Sequence, residues 1–318
     1  MSKFLNSIGA GVSADPSASG VYGIQVVAED AITISAAVPS GAFGQSPWAN
    51  NDIVTVGTTF NISDLSIPSG TEFIRLHLFG PGGNGYAGSA GIGGGGGGGS
   101  CCIYTAVKLG GLDGVPFTVT LPAGGSEAAA TVVCAELGIS LSAGAGANST
   151  ALAPGAGGTS TGGNDNFAGG TGGTNVNASA GGAGSGSYLG QGGNGGSGGN
   201  ASGAGGGWRG DGGNASGSTR GLIGVVSDGS LTAAGKGIGP GTGTFQVPGP
   251  SGDGYGSGGN GSTNVNVPAS NGKIGGGGGG GWGTGNGGDG GLAGGGGGST
   301  PSGTAGSGGN SFLIVEWK

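Results

Sequence analysis

The chain has 318 residues, 95 of them Gly and 13 Pro, with 7% charged residues, a formal net charge of −7 and a pI near 4.4. The acidic balance and lack of a basic patch exclude nucleic-acid binding by phosphate neutralisation, and no apolar run approaches the ~20 residues of a membrane span, so no membrane insertion is expected. So much glycine excludes one conventional core for the whole chain, while so little charge is unlike an ordinary disordered chain.

The opening MSKFLNSIGAGVSA is a poor signal peptide, so no secretion signal is expected. Residues 1–58 carry ordinary glycine content and short β-like runs, Val21–Val27, Ala31–Val38 and Ile53–Val56, separated by turn clusters. They are expected to form an attachment arm or small β module. Residues 59–141 form the strand-rich region. In Glu72–Phe79 the alternation puts Ile74, Leu76 and Leu78 on one face and Arg75 and His77 on the other. Phe73 and Phe79 fall on that polar face and call for a second layer over it. Further strands are predicted over Cys101–Val107, Phe117–Leu121 and Thr131–Leu141. No segment has a 3.6-residue apolar period, so essentially no α-helix is expected. Cys101, Cys102 and Cys134 lack metal-ligand spacing; they read as buried free thiols, with a bridge from Cys134 to one of the pair as the alternative.

Residues 142–310 are a glycine-rich body, and Ser311–Lys318 closes the chain as a compact apolar strand, expected to return to the sheet of residues 59–141. The body repeats with period three in GGTGGT at 169–174, GGNGGSGGN at 192–200 and GGDGGL at 287–292, and near-continuous glycine occupies 93–99, 275–281 and 294–298. Three residues make one turn of a polyproline-II-type helix. A Gly-Gly-x repeat there leaves two bare edges and one side chain around the axis, so neighbouring backbones can approach and hydrogen-bond. Ordering glycine costs ~0.5–1 kcal/mol more than alanine, so such an array needs dense backbone bonding and strand clamps. Collagen is excluded, because strict G-X-Y and abundant proline are missing. The fold class is therefore all-β: a β-strand sandwich clamping a body of packed polyglycine II helices.

The order Phe60-Asn61-Ile62, Ile67-Pro68-Ser69-Gly70, Phe73–Phe79, Gly80-Pro81-Gly82-Gly83, the glycines 93–99, Cys101–Val107 and Phe117–Gly125, with the close Gly308–Trp317, resembles the glycine-rich domain of bacteriophage tail-fibre and virion-appendage proteins. The body is also similar to polyglycine II sandwich adhesins. The resemblance covers residues 59–318; the first 58 residues have no counterpart in it. It implies a non-enzymatic structural protein on the virion surface, a tail fibre or appendage, with host-receptor binding as an added role. Implied partners are other virion proteins through the N-terminal region, a bacterial surface receptor or glycan, and further copies of the chain, a trimer being favoured. A head fibre or capsid-decorating protein is the alternative within the particle. A free ice-binding or surface-coating protein is the alternative of another class.

Catalytic residues, cofactors and metals are not expected. His77 is the single histidine, and the body's acids, Asp165, Asp211, Asp228, Asp253 and Asp289, form neither a calcium loop nor a carboxylate pair. Matches to G-x-G-x-x-G carry no information in such a background. Tyr188, Trp208, Tyr255 and Trp282 interrupt glycine runs and are the receptor-binding candidates, since exposed rings suit sugars and receptor loops; capping the array or filling a subunit contact is the competing role. The NVN triplets at 175–177 and 264–266 are candidate polar loop tips.

Overall fold

A computed structural model describes residues 23–28, 54–55, 59–61, 70, 73–88, 94–108, 110–112, 114–175, 179–187, 190–198, 202–207, 211–212, 258–259, 261–262 and 267–317. Among these there is no α-helix, and therefore none long and apolar enough to cross a membrane. Two sheets form the sandwich. The first holds β10 (Asp165–Phe167), β5 (Cys101–Val107), β4 (Phe73–Phe79), β11 (Phe312–Trp317), β1 (Gly23–Ala28) and β2 (Val54–Thr55), in that order. The second holds β3 (Thr59–Asn61), β6 (Thr118–Thr120), β7 (Ala130–Cys134), β8 (Ile139–Ala143) and β9 (Ser160–Thr161). All pairings are antiparallel except β1 with β2. The closing strand β11 lies between β4 and β1, so the two ends of the described chain meet in one sheet.

The period-2 pattern of β4 sends Ile74, Leu76 and Leu78 into the space between the sheets, where they pack with Leu313 and Val315 of β11 and Val119, Val132 and Leu141 of the second sheet. The opposite face of the first sheet is not solvated. Arg75 and His77 are buried there, and Phe79 stacks on Phe312 with ring centroids 4.1 Å apart. The run expected as one strand, Thr131–Leu141, is a hairpin. Gly138, at φ 66°, closes a tight turn over Ala135–Gly138 that separates β7 from β8. The three cysteines are buried and free, so the bridge alternative falls. Beside the described strands β1 and β2, the run Ala31–Val38 and the side chain of Phe73 lie outside the described residues.

The body is a lattice of extended three-fold helices held by backbone hydrogen bonds. Helix 94–100 defines its rule. The amides of Gly95 and Gly98 donate to helix 168–174, those of Gly96 and Gly99 to helix 293–299, and those of Gly97 and Ser100 to helix 144–149. Its carbonyls accept, again with period three, from helices 80–86, 155–159 and 179–186. These bonds span 2.8–3.0 Å and surround the helix with six neighbours, each bonded to the next around the ring. The same connectivity orders the described helices into four layers: 303–309, 285–291 and 267–273; then 80–86, 293–299, 275–281 and the pieces 258–259 and 261–262; then 144–149, 94–100, 179–186 and 202–207; then 155–159, 168–174, 192–198 and 211–212.

Glycine content follows position in this lattice. The interior helices 94–100, 275–281 and 293–299 are almost pure glycine, and helix 179–186, also bonded on every side, admits only Ala and Ser beside its glycines. A Cβ on Gly97 or Gly278 would lie within 3.0 Å of the carbonyl oxygen of Ala156 or Gly288. In the two outer layers helices 168–174, 192–198 and 285–291 follow Gly-Gly-x, while 267–273 has a single glycine, and the outward residues Thr171, Asn194, Asp289, Thr304 and Ser307 are exposed. The sandwich templates the lattice. Strands β10, β5, β4 and β11 continue directly into helices 168–174, 94–100, 80–86 and 303–309, one for each layer. Strand spacing of ~4.8 Å is set by sideways N–H···O=C bonds, and bonds of the same length hold the helices apart.

Candidate functional site

Strand continuity gives the lattice two distinct ends. Helices 80–86, 144–149 and 168–174 leave the sandwich and helices 94–100, 155–159 and 303–309 return to it, so the turns between them gather at the far end. Three described turns there, together with residues 86–88 and 94, are tied to one another. The amide of Gly94 donates to Ser149 Oγ at 2.8 Å, and Ser149 Oγ donates to the carbonyl of Ala153 at 3.1 Å. The Ser299 amide donates to the Tyr86 carbonyl at 3.2 Å, and Thr300 Oγ1 donates to the carbonyl of Gly283. The turn at Trp282 is closed by the Gly285 amide on the Trp282 carbonyl at 2.8 Å, and that at Thr300 by the Gly303 amide at 3.0 Å.

This end carries no Asp, Glu, Lys or Arg over residues 84–88, 149–154, 282–285 and 299–304. Its apolar groups are Leu152, 95% exposed, half-buried Trp282 and Tyr86, and Val267. Leu152 is held out by a rigid turn: the amide of Thr150 donates to the Ala153 carbonyl at 2.9 Å, and the amides of Leu152 and Ala153 each donate to Thr150 Oγ1 at 3.3 Å. A preorganised, uncharged, hydroxyl-rimmed platform of this kind suits recognition through apolar anchors and hydrogen bonds. Over the same residues there is no His, Cys, Asp or Glu. Among the described residues no group of three His, Cys, Asp or Glu side chains converges.

Of the four aromatic candidates, Trp282 stands at the far end, while Tyr188, Trp208 and Tyr255 lie outside the described residues. In the first NVN triplet Asn175 is no loop tip. It is buried, and its Oδ1 accepts the Ala180 amide at 2.7 Å, which caps the turn from within. The second triplet lies outside the described residues. Leu152 escapes sequence reading because its only signal is one large aliphatic side chain in the short break Ser149–Pro154 between glycine-rich helices. Cys101 and Cys102 are unreactive by position: burial pushes the Cys102 thiol up to about 12, and burial followed by the neighbouring Cys102 raises that of Cys101. The chain matches no protein-family model and no curated protein.

Proposed function

We propose that this chain is a non-enzymatic structural protein of a bacteriophage virion, a tail-fibre or appendage component that holds a receptor-binding platform away from the particle. The observation that carries this reading is the polarity of the lattice. The sandwich, which includes the N-terminal strand β1, occupies one end, and the uncharged platform with Leu152 and Trp282 occupies the other. A rigid strut with attachment at its base and anchors at its tip fits an appendage better than a free coat protein. The N-terminal region is the proposed contact to other virion proteins, and a bacterial surface receptor or glycan is the proposed ligand of the tip.

Immunogold labelling of purified particles against this chain tests the virion assignment. Label at an appendage is the expected result, label over the capsid would move the protein to the head, and particles free of label would overturn the reading. Leu152→Asp and Trp282→Ala test the tip. An anchor residue worth ~2 kcal/mol or more predicts at least about tenfold weaker adsorption to host cells, with particle yield unchanged. Thermal hysteresis in solutions of the purified protein, without any particle phenotype, would favour the ice-binding alternative.

A further inference from the structure

The perimeter of the lattice repeats one hydrogen-bonded device. A three-fold helix at the edge has an outward amide, on its x residue, with no inner helix to receive it. In parallel neighbours that amide is taken by an Asn or Asp Oδ1 of the adjacent helix, while the amide of the following residue donates back to the carbonyl of the same x residue. Asn286 Oδ1 accepts from the Thr304 amide at 3.0 Å and Gly287 N–H donates to the Thr304 carbonyl at 2.8 Å. Asn271-Gly272 grips Asp289 (2.9 and 2.8 Å), Asp289-Gly290 grips Ser307 (2.8 and 2.9 Å), Asn194-Gly195 grips Thr171 (2.9 and 2.9 Å) and Asp211-Gly212 grips Asn194 (2.7 and 2.7 Å). Asn148-Ser149 grips Asn84 in the same way, at 2.7 and 2.9 Å. Asn84-Gly85 faces an antiparallel neighbour, yet both groups are engaged: Oδ1 by the Gly308 amide at 2.8 Å and the Gly85 amide by the Gly306 carbonyl at 3.0 Å.

These dipeptides are the ones most exposed to a known chemical hazard. In an Asn-Gly unit the glycine nitrogen, after giving its proton to hydroxide, attacks the Asn Cγ. A C–N bond closes a succinimide, the carboxamide C–N bond breaks, ammonia leaves, and water opens the ring to aspartate or isoaspartate. Glycine speeds the step because it lacks a β-carbon and the chain around it is free to turn. Asn194, Asn271 and Asn286 are solvent-exposed, so water and hydroxide reach all three. Isoaspartate adds a backbone atom and would break the three-residue register that the lattice depends on.

We propose that the clamps protect the Asn-Gly bonds at Asn84, Asn194, Asn271 and Asn286 from deamidation, which keeps the edge of the lattice chemically intact for as long as it remains hydrogen-bonded. Each clamp acts at both reacting groups. The glycine amide cannot lose its proton without giving up a bond to a neighbouring carbonyl, and the side-chain carbonyl is pinned to a neighbouring amide. The carboxylates of Asp211 and Asp289 hold the same place in two clamps, so a direct aspartate product still fits, and isoaspartate is the damaging outcome.

The test is peptide mass spectrometry of the full-length protein incubated at mildly alkaline pH, folded and in denaturant. All four sites are expected to deamidate at least about tenfold more slowly in the folded protein, the factor set by ~1.4 kcal/mol of local opening free energy. Thr304→Pro removes the gripped amide while keeping the extended backbone; it is expected to accelerate Asn286 relative to Asn84, Asn194 and Asn271 in the same molecule. Thr304→Ala, which keeps the amide, should leave Asn286 slow. Equal rates in folded and denatured wild-type protein would overturn the proposal, as would a Thr304→Pro protein whose Asn286 stays as slow as the other three. If Thr304→Pro fails to fold, all four sites accelerate together, and Thr171→Pro with Asn194 as reporter decides in its place by the same two outcomes.

Discussion

The sandwich and the lattice solve the same problem with opposite materials. Between the sheets, bulk is required: Leu76, Leu78, Phe117, Leu121 and Leu313 are fully buried and hold the layers by apolar contact. In the lattice, bulk is forbidden, and interior helices use their amides and carbonyls on neighbours in every direction. A backbone hydrogen bond nets only about 1 kcal/mol, close to the ~0.5–1 kcal/mol penalty for ordering a glycine instead of an alanine. The lattice thus gains little from any single residue and depends on cooperative closure of its rings. The sandwich presents strands already at the right spacing, a geometric template for that closure. Two regions with almost no shared composition are continuous because one sideways hydrogen-bond repeat serves both.

Substitutions of opposite sense break the comparison most sharply. Gly278→Val puts a side chain against the Gly288 carbonyl, with backbone on both sides and no flexible group to yield. It is expected to cost at least about 3 kcal/mol, read as loss of protease resistance in the body and a lower denaturant midpoint. Leu76→Ala removes bulk where bulk is needed and is expected to cost ~2–5 kcal/mol, with calorimetry showing the sandwich and the lattice melting together if the template role holds; an unchanged lattice transition would refute that role.

Alkaline pH sharpens the contrast through a buried thiol of the sandwich. The Cys102 thiol ionises near 9.0 when unfolded and near about 12 when buried. The unfolded state therefore loses its proton first, and stability, complete below pH ~9, falls as pH rises toward ~12. Urea midpoints across that window should decline, and less steeply in Cys102→Ala. The smallest effect belongs to the outer layer. Thr304→Ala keeps the amide that Asn286 receives and alters only an exposed side chain, so its stability should stay within about 0.5 kcal/mol of the parent, measured by the same midpoints.

Much of this was legible in advance, and the failures have local causes. The alternation in Phe73–Phe79 and the apolar close Phe312–Trp317 marked strands that the structure pairs. The stretch Thr131–Leu141 read as one strand because its turn, Ala-Glu-Leu-Gly, contains a single weak breaker. Strands β9 and β10, inside the stretch assigned to the glycine body, are too short and polar to announce themselves. Asn-Gly and Asp-Gly ordinarily signal a tight hairpin turn, yet here they stay extended, because a neighbouring helix offers both an amide and a carbonyl at the right separation. Sites 18 residues apart, such as Asn271, Asp289 and Ser307, occupy equivalent places on adjacent outer helices, a repeat hidden beneath the shorter period of three. At the tip, Trp282 was conspicuous as a ring among glycines, whereas Leu152 became visible only once its turn was seen to project it.

By itself the sequence determined the local conformations and the kind of surface each segment could tolerate. Alternating apolar residues commit a segment to a half-buried strand, and a glycine-dominated period of three commits it to an extended helix with bare edges, both through sterics within a few residues. Only the tertiary structure decided which helices lie side by side, which run parallel and so form clamps, and which turns share the far end. Glycine edges are chemically identical and cannot encode partners, so that choice fell to the strands, whose side-chain register fixes where each helix enters the lattice.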